Sequence, residues 1–158
     1  MAKELQHFIG GKRTSGKSGR FGDVYNPSLG QVASRAPFAS KKEVEAAIAD
    51  AAAAFPAWAG ASPITRARVM FKFKALLEKQ ADELAGLISA EHGKVFADAK
   101  GSLTRGIEVV EFACGIPHLM KGEFSPNVST GVDMHSLRQP LGFVAGITPF
   151  NFPAMVPL

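Results

Sequence analysis

The sequence predicts a mixed α/β chain in which short β-hairpins lead into a helical block, extended strands follow, and one strand of parallel-sheet type comes last. Three observations carry this reading. Glycine-rich turns punctuate the first 38 residues, and apolar residues then recur at helical spacing between Ser40 and Met120. After Glu123 the period changes, and the chain reaches the unbroken apolar run LGFVAGI at 141–147, a pattern typical of a strand buried on both faces.

The opening strands are HFI, DVY and QVASRA, separated by Gly10-Gly11, a Gly/Ser/Lys stretch and NPSLG. Gly10-Gly11 is a favoured two-residue hairpin turn. Within GGKRTSGKSGRFGD, residues Gly11, Gly16, Lys17 and Ser18 match the spacing G-x-x-x-x-G-K-S of a phosphate-binding P-loop. That loop works only when a helix leaves it, so that backbone N–H groups and the helix dipole converge on phosphate. Here Gly19, Gly22, Val24 and Asn26-Pro27 follow, a poor helix start. The stretch is read as a turn between edge strands, and no ATP binding is expected.

Ser40 with Glu43 is a capping-box signal, and Val44, Ile48, Ala51, Phe55 and Trp58 continue at helical spacing. Ser62-Pro63, a cap followed by proline at the first helical position, opens a second helix. Leu84, Leu87 and Ile88 mark a third, closed at Gly93. A fourth helical segment is expected from about Val95 to Met120, with Leu103, Ile107, Val110 and Cys114 on one face and Gly101, Gly106 and Gly115 serving close packing or a bend. One or two extended strands are expected between Glu123 and Arg138, with a possible turn near Gly131-Val132.

Composition narrows the function. The chain has 158 residues, 46% apolar and 20% charged, enough to bury a core and ordinary for a globular protein. No apolar run approaches a membrane span and MAKELQHF has no signal core, so a cytoplasmic protein without membrane association is expected. The net charge of +4 comes from basic residues interleaved with carboxylates, a pattern of solvated surface rather than of a nucleic-acid interface. One cysteine permits no internal disulfide, and the four histidines lack metal-ligand spacing, so no metal is expected.

The last eleven residues carry the candidate site. After Ile147 comes Thr148-Pro149-Phe150-Asn151-Phe152, and then Pro153, a good first helical residue. Ligands bind at such carboxyl ends of strands in open α/β sheets. The Asn151 amide could donate to a developing oxyanion or could simply form a turn; spacing alone favours neither.

The loop ITPFNFP, together with EHGK at 91–94, RGIEVVEFAC at 105–114 and the opening FIGGK and YNPSLGQV, resembles the N-terminal part of an aldehyde dehydrogenase. Phe150, where many relatives carry Trp, makes the CoA-acylating methylmalonate-semialdehyde branch the nearest resemblance. The resemblance implies an incomplete aldehyde dehydrogenase fold: hairpins and helices of the NAD-binding domain at 1–122, oligomerisation-arm strands at 123–139, and the first strand of a Rossmann-like cofactor domain with its loop at 140–158. It implies that Asn151 forms half of the oxyanion hole, that Thr148 and Phe150 line the nicotinamide side of an NAD site, and that Arg105 meets the substrate carboxylate. Geometry alone would also allow Arg105 a surface salt bridge with Glu108.

The family's chemistry is implied with it. A cysteine thiolate attacks the aldehyde, Asn stabilises the oxyanion, NAD oxidises the adduct, and coenzyme A captures the thioester. With loss of the substrate carboxylate as carbon dioxide or bicarbonate, the products implied are propionyl-CoA or acetyl-CoA, and the implied assembly is a homodimer or homotetramer. The family's nucleophile lies downstream of Leu158. Cys114 falls on the apolar face of its helix with Ile107 and Val110, where a buried thiol is structural rather than nucleophilic. The 158-residue chain is therefore expected to be inactive alone. A branch that hydrolyses its thioester and a non-catalytic interaction module are the alternatives.

Overall fold

The computed structural model describes residues 2–158. Strands β2 (His7–Ile9) and β3 (Lys12–Thr14) form an antiparallel hairpin. Gly10 and Gly11 turn it with φ of 58° and 71°, values that L-side chains rarely adopt. β4 (Phe21–Asn26) pairs antiparallel with β5 (Gln31–Pro37), and β1 (Lys3–Glu4) adds to β5 in parallel. The turn between β4 and β5 is tied by Asn26, whose side-chain oxygen accepts from the N–H groups of Ser28 and Leu29 at 2.9 and 3.1 Å.

Helix α1 (Lys41–Gly60) starts where the sequence indicates. The Ser40 side chain accepts from the Glu43 N–H, and the Glu43 carboxylate accepts from the Ser40 N–H at 2.8 Å, a reciprocal capping box. The helix runs through Pro56 and buries none of its residues. Its apolar stripe instead borders a groove shared with Phe8, Ile9, Phe143 and Val144.

The core lies among the next three helices. These are α2 (Pro63–Lys79), capped by Ser62, α3 (Ala81–His92) and α4 (Phe96–Cys114). Ala85 and Ile88 of α3 pack on Ala99 and Leu103 of α4, and Ala67 and Leu77 of α2 are also buried. On α4 the buried positions Ala99, Leu103, Gly106, Val110 and Cys114 are spaced by three or four residues, one face of a helix. Ion pairs lie outside this seam: Lys100 to Asp82 at 2.6 Å, and Lys74 to Glu78 at 2.7 Å and Glu111 at 3.6 Å. The hydrogen bond from Lys74 to Glu78, with the Glu111 charge adding to it, raises the Lys74 pKa.

Three expectations are corrected. The fourth helix does not run to Met120: it ends at Cys114, and a separate turn of helix, α5 (Ile116–Leu119), follows Gly115. Pro117 lacks an N–H and its ring opposes the carbonyl four residues back, so a continuous helix is broken there. Residues 141–147 do not form a strand. The whole of 136–149 lacks regular hydrogen bonding, and Leu141 and Val144 are 95% and 79% exposed. A strand needs a neighbour for its backbone groups, and none lies beside this run among the described residues. Residues 150–157 form turns rather than a helix beginning at Pro153.

The extended region resolves into a hairpin of β6 (Phe124–Ser129) and β7 (Val132–His135), turned at Thr130-Gly131 and exposed on both faces. Among the described residues no helix is long and apolar enough to cross a membrane.

Candidate active-site loop

The terminal turns dock on the helical core. Ala154 and Leu158 pack against the Ala85–Ile88–Ala99–Leu103 cluster. Gly106 makes that approach possible: a Cβ there would fall 2.8 Å from Leu158 Cδ1 and 3.1 Å from Met155 Cα. Close packing thus accounts for Gly106, while Gly115 ends α4. A Cβ at Gly101 would meet nothing within 4 Å, so packing does not explain that glycine.

Docking carries the loop 148–152 to the end of α3. Lys94 Nζ donates to the backbone carbonyl of Asn151 at 3.1 Å and lies 5.1 Å from the centre of the Phe152 ring. The Asn151 side chain is exposed and forms no hydrogen bond among the described residues. Asn26 and Asn127 differ, because their side-chain oxygens accept turn N–H groups. A turn-forming amide would be occupied in that way, so Asn151 keeps both carboxamide groups available for a ligand.

Depressions flank the docked turns. Phe150 and Pro153 line one with Glu91 and His92, of about 480 Å³. Arg105, Glu108, Val109, Phe112 and Met155 line the other, of about 360 Å³. Met155 thereby links Arg105 to the Asn151 loop through four residues of chain. Arg105 is exposed and has no acid within 4.0 Å among the described residues, so the salt bridge with Glu108 that spacing allowed is not formed. Thr148 is exposed and Phe150 is 88% exposed.

Cys114 is buried, and its thiol donates to the Val110 carbonyl one turn back on its own helix at 3.3 Å. The P-loop-like stretch is likewise committed internally. The Lys17 N–H donates to Glu43 Oε1 at 2.7 Å, the Ser18 hydroxyl donates to the Phe38 carbonyl, and Arg20 reaches the Ala39 carbonyl at 3.1 Å. Strand β4, not a helix, follows it. A carboxylate thus takes the backbone N–H that a phosphate would need. The N–H of Ser40, the Ser40 hydroxyl and the Lys17 N–H together hold the Glu43 pKa at about 2. Among the described residues no three His, Cys, Asp or Glu side chains are grouped so as to hold a metal ion.

Sequence reading singled out Thr148, Phe150, Asn151 and Arg105 but not Lys94, His92 or Gly106 as parts of this region. The signal is present in part: EHGK and PFNFP both carry the family resemblance, but neither shows the contact that joins them.

The arrangement defines an α/β module in which a helical block carries a loop with a free carboxamide. The profile of the aldehyde dehydrogenase family matches residues 14–158, and the chain belongs to that family. It is 51% identical to the malonate-semialdehyde dehydrogenase of Pseudomonas aeruginosa, over 98% of this chain and 31% of that protein. It is 47% identical to the human mitochondrial methylmalonate-semialdehyde/malonate-semialdehyde dehydrogenase (acylating), over 96% of this chain and 28% of that one. A Sinorhizobium meliloti protein, provisionally named methylmalonate-semialdehyde dehydrogenase and crystallised with NAD, superposes with a TM-score of 0.94 at 52% identity, over 99% of this chain and 32% of its own. The chain therefore spans less than a third of the length of these relatives.

Proposed function

We propose that this chain supplies the oxyanion donor, the nicotinamide-facing surface and the carboxylate-recognising arginine of an NAD-dependent, CoA-acylating methylmalonate- or malonate-semialdehyde dehydrogenase. The observation that supports this most is the Asn151 carboxamide, free of internal partners on a loop anchored to the core. Identity near 50% to proteins bearing those names supports the substrate class, and the word acylating in the human protein's name supports coenzyme A as acceptor.

In this reading Asn151 donates to the oxygen that gains charge when a thiolate adds to the aldehyde. Arg105 pairs with the carboxylate of the semialdehyde, which is charged throughout. Thr148 and Phe150 would hold the nicotinamide end of NAD, which when bound serves as the oxidant. Residues 123–139, which include the β6–β7 hairpin, serve as an arm for a homodimer or homotetramer, while 1–122 and 140–158 belong to the cofactor-binding part. The nucleophile comes from outside these residues, because Cys114 is bonded within its helix and buried.

The test joins residues 1–158 to the remainder of the Pseudomonas relative. Asn151→Ala in this hybrid is expected to slow thioester formation by roughly 100- to 1,000-fold. Aldehyde affinity should change far less, because the charge is absent from the ground state. Arg105→Ala should raise KM for malonate semialdehyde and spare propanal. An acylation rate within a few-fold of the parent for Asn151→Ala would falsify the oxyanion role.

A further inference from the structure

We propose that Lys94 is the positioning residue of the Asn151 loop, pinning the loop by its main chain and leaving the carboxamide free to act; its catalytic consequence rests on the oxyanion reading above.

Lys94 has no acid within 4.0 Å among the described residues. Its charge is met instead by the Asn151 carbonyl at 3.1 Å and the face of Phe152 at 5.1 Å. A charge-assisted hydrogen bond and a cation–π contact converging from one ammonium are stronger than either neutral counterpart. Fixing the Asn151 carbonyl restricts the backbone torsion beside its Cα, and so the direction in which the side chain leaves. The contact reaches the residue through its main chain and consumes none of the donors the chemistry needs.

Lys94 is itself aimed by rigid structure. Gly93 caps α3 in the left-handed region at φ 84°, and a Cβ there would fall 2.8 Å from Pro27 Cγ. Pro27 belongs to the turn tied by Asn26. On the other side Val95 caps α4, whose Ala99 N–H bonds back to the Val95 carbonyl at 3.0 Å. Three separated stretches, YNPSLG, EHGK and PFNFP, therefore meet in one place. The first sets where α3 ends, the second delivers the lysine, and the third receives it.

The contact can be tested in the 158-residue chain without substrate. NMR should detect a through-hydrogen-bond coupling from Lys94 Nζ to the Asn151 carbonyl carbon. In Lys94→Met, which keeps the aliphatic stem, amide order parameters at 150–152 should fall from about 0.85 to below about 0.6. The α4 amides should hold their values, and Lys94→Arg should restore the loop. Absence of the coupling in the unsubstituted chain, or unchanged loop order in Lys94→Met, overturns the proposal. If Lys94→Met disturbs α4 as well, the coupling in the unsubstituted chain decides.

In the hybrid enzyme, Lys94→Met should slow acylation by roughly 10- to 100-fold with little change in KM, since misplacing a catalytic group by about 1 Å costs rate more than binding. Lys94→Arg should recover most of that loss. If Asn151→Ala is slow and Lys94→Met is not, the positioning role is wrong. If the coupling persists in Asn151→Ala while acylation stays near the parent rate, the oxyanion reading fails and the main-chain contact stands.

Discussion

Helix α4 and residues 141–147 are both rich in apolar side chains, yet one holds the core and the other is open to solvent. α4 closes its hydrogen bonds within its own 19 residues and buries a complete face, Leu103 being 1% exposed. The run LGFVAGI leaves its backbone groups to solvent, because no strand lies beside it among the described residues. Helix α1 separates the two causes. It buries none of its residues and still forms over 20 positions behind the Ser40–Glu43 capping box. A helix thus needs neighbours to be stabilised, whereas a strand needs them to exist.

The largest effect should come from emptying the packed side of this comparison. Leu103→Ala is expected to cost about 2–5 kcal/mol in urea unfolding, the range for deleting a buried leucine side chain. A loss under about 1 kcal/mol would mean that the α3–α4 seam is not the core. Gly93→Ala should rank next, at roughly 1–2 kcal/mol from the left-handed backbone alone. Contact with Pro27 adds to it, and the same change should loosen the Asn151 loop in hydrogen exchange.

The cap of α1 gives a smaller, pH-dependent effect. Ser40→Ala should cost about 1 kcal/mol. Glu43 is held at about 2 in the fold against an ordinary value of 4.5. Because its folded pKa is depressed, its contribution is complete above pH 4.5 and is lost as pH falls toward 2. Glu43→Gln should therefore flatten the acid side of the stability profile, and a parallel profile would show that the cap does not govern it. Smallest of all is Val144→Ala, which should stay within about 0.5 kcal/mol because the side chain is already exposed. A larger loss would place 141–147 against a surface in solution.

Local chemistry explains which parts were legible in advance. Ser40 with Glu43, Ser62 with Pro63, Gly93, and Gly10-Gly11 each act through atoms a few residues apart, so their cap or turn can be read from neighbouring letters. The helix stop at Gly115 was equally local, and Pro117 was the overlooked residue. LGFVAGI was different: its composition indicates a preference for burial between neighbours, not whether neighbours are at hand. For the candidate site, the residue types at 148–153 announced chemistry, but nothing near Lys94 in sequence announced that its ammonium reaches 57 positions along the chain to Asn151.

By itself the sequence determined the caps, the turns, the helical face of α4 and the family, because these depend on residue types at short or fixed spacing. Tertiary structure alone decided that the Lys17 amide serves Glu43 rather than phosphate, that Gly106 admits Leu158, that the Asn151 side chain is left without a partner, and that 141–147 stays unpaired. Each of those outcomes depends on which distant groups the fold brings within hydrogen-bonding or packing distance, and sequence spacing carries no measure of that distance.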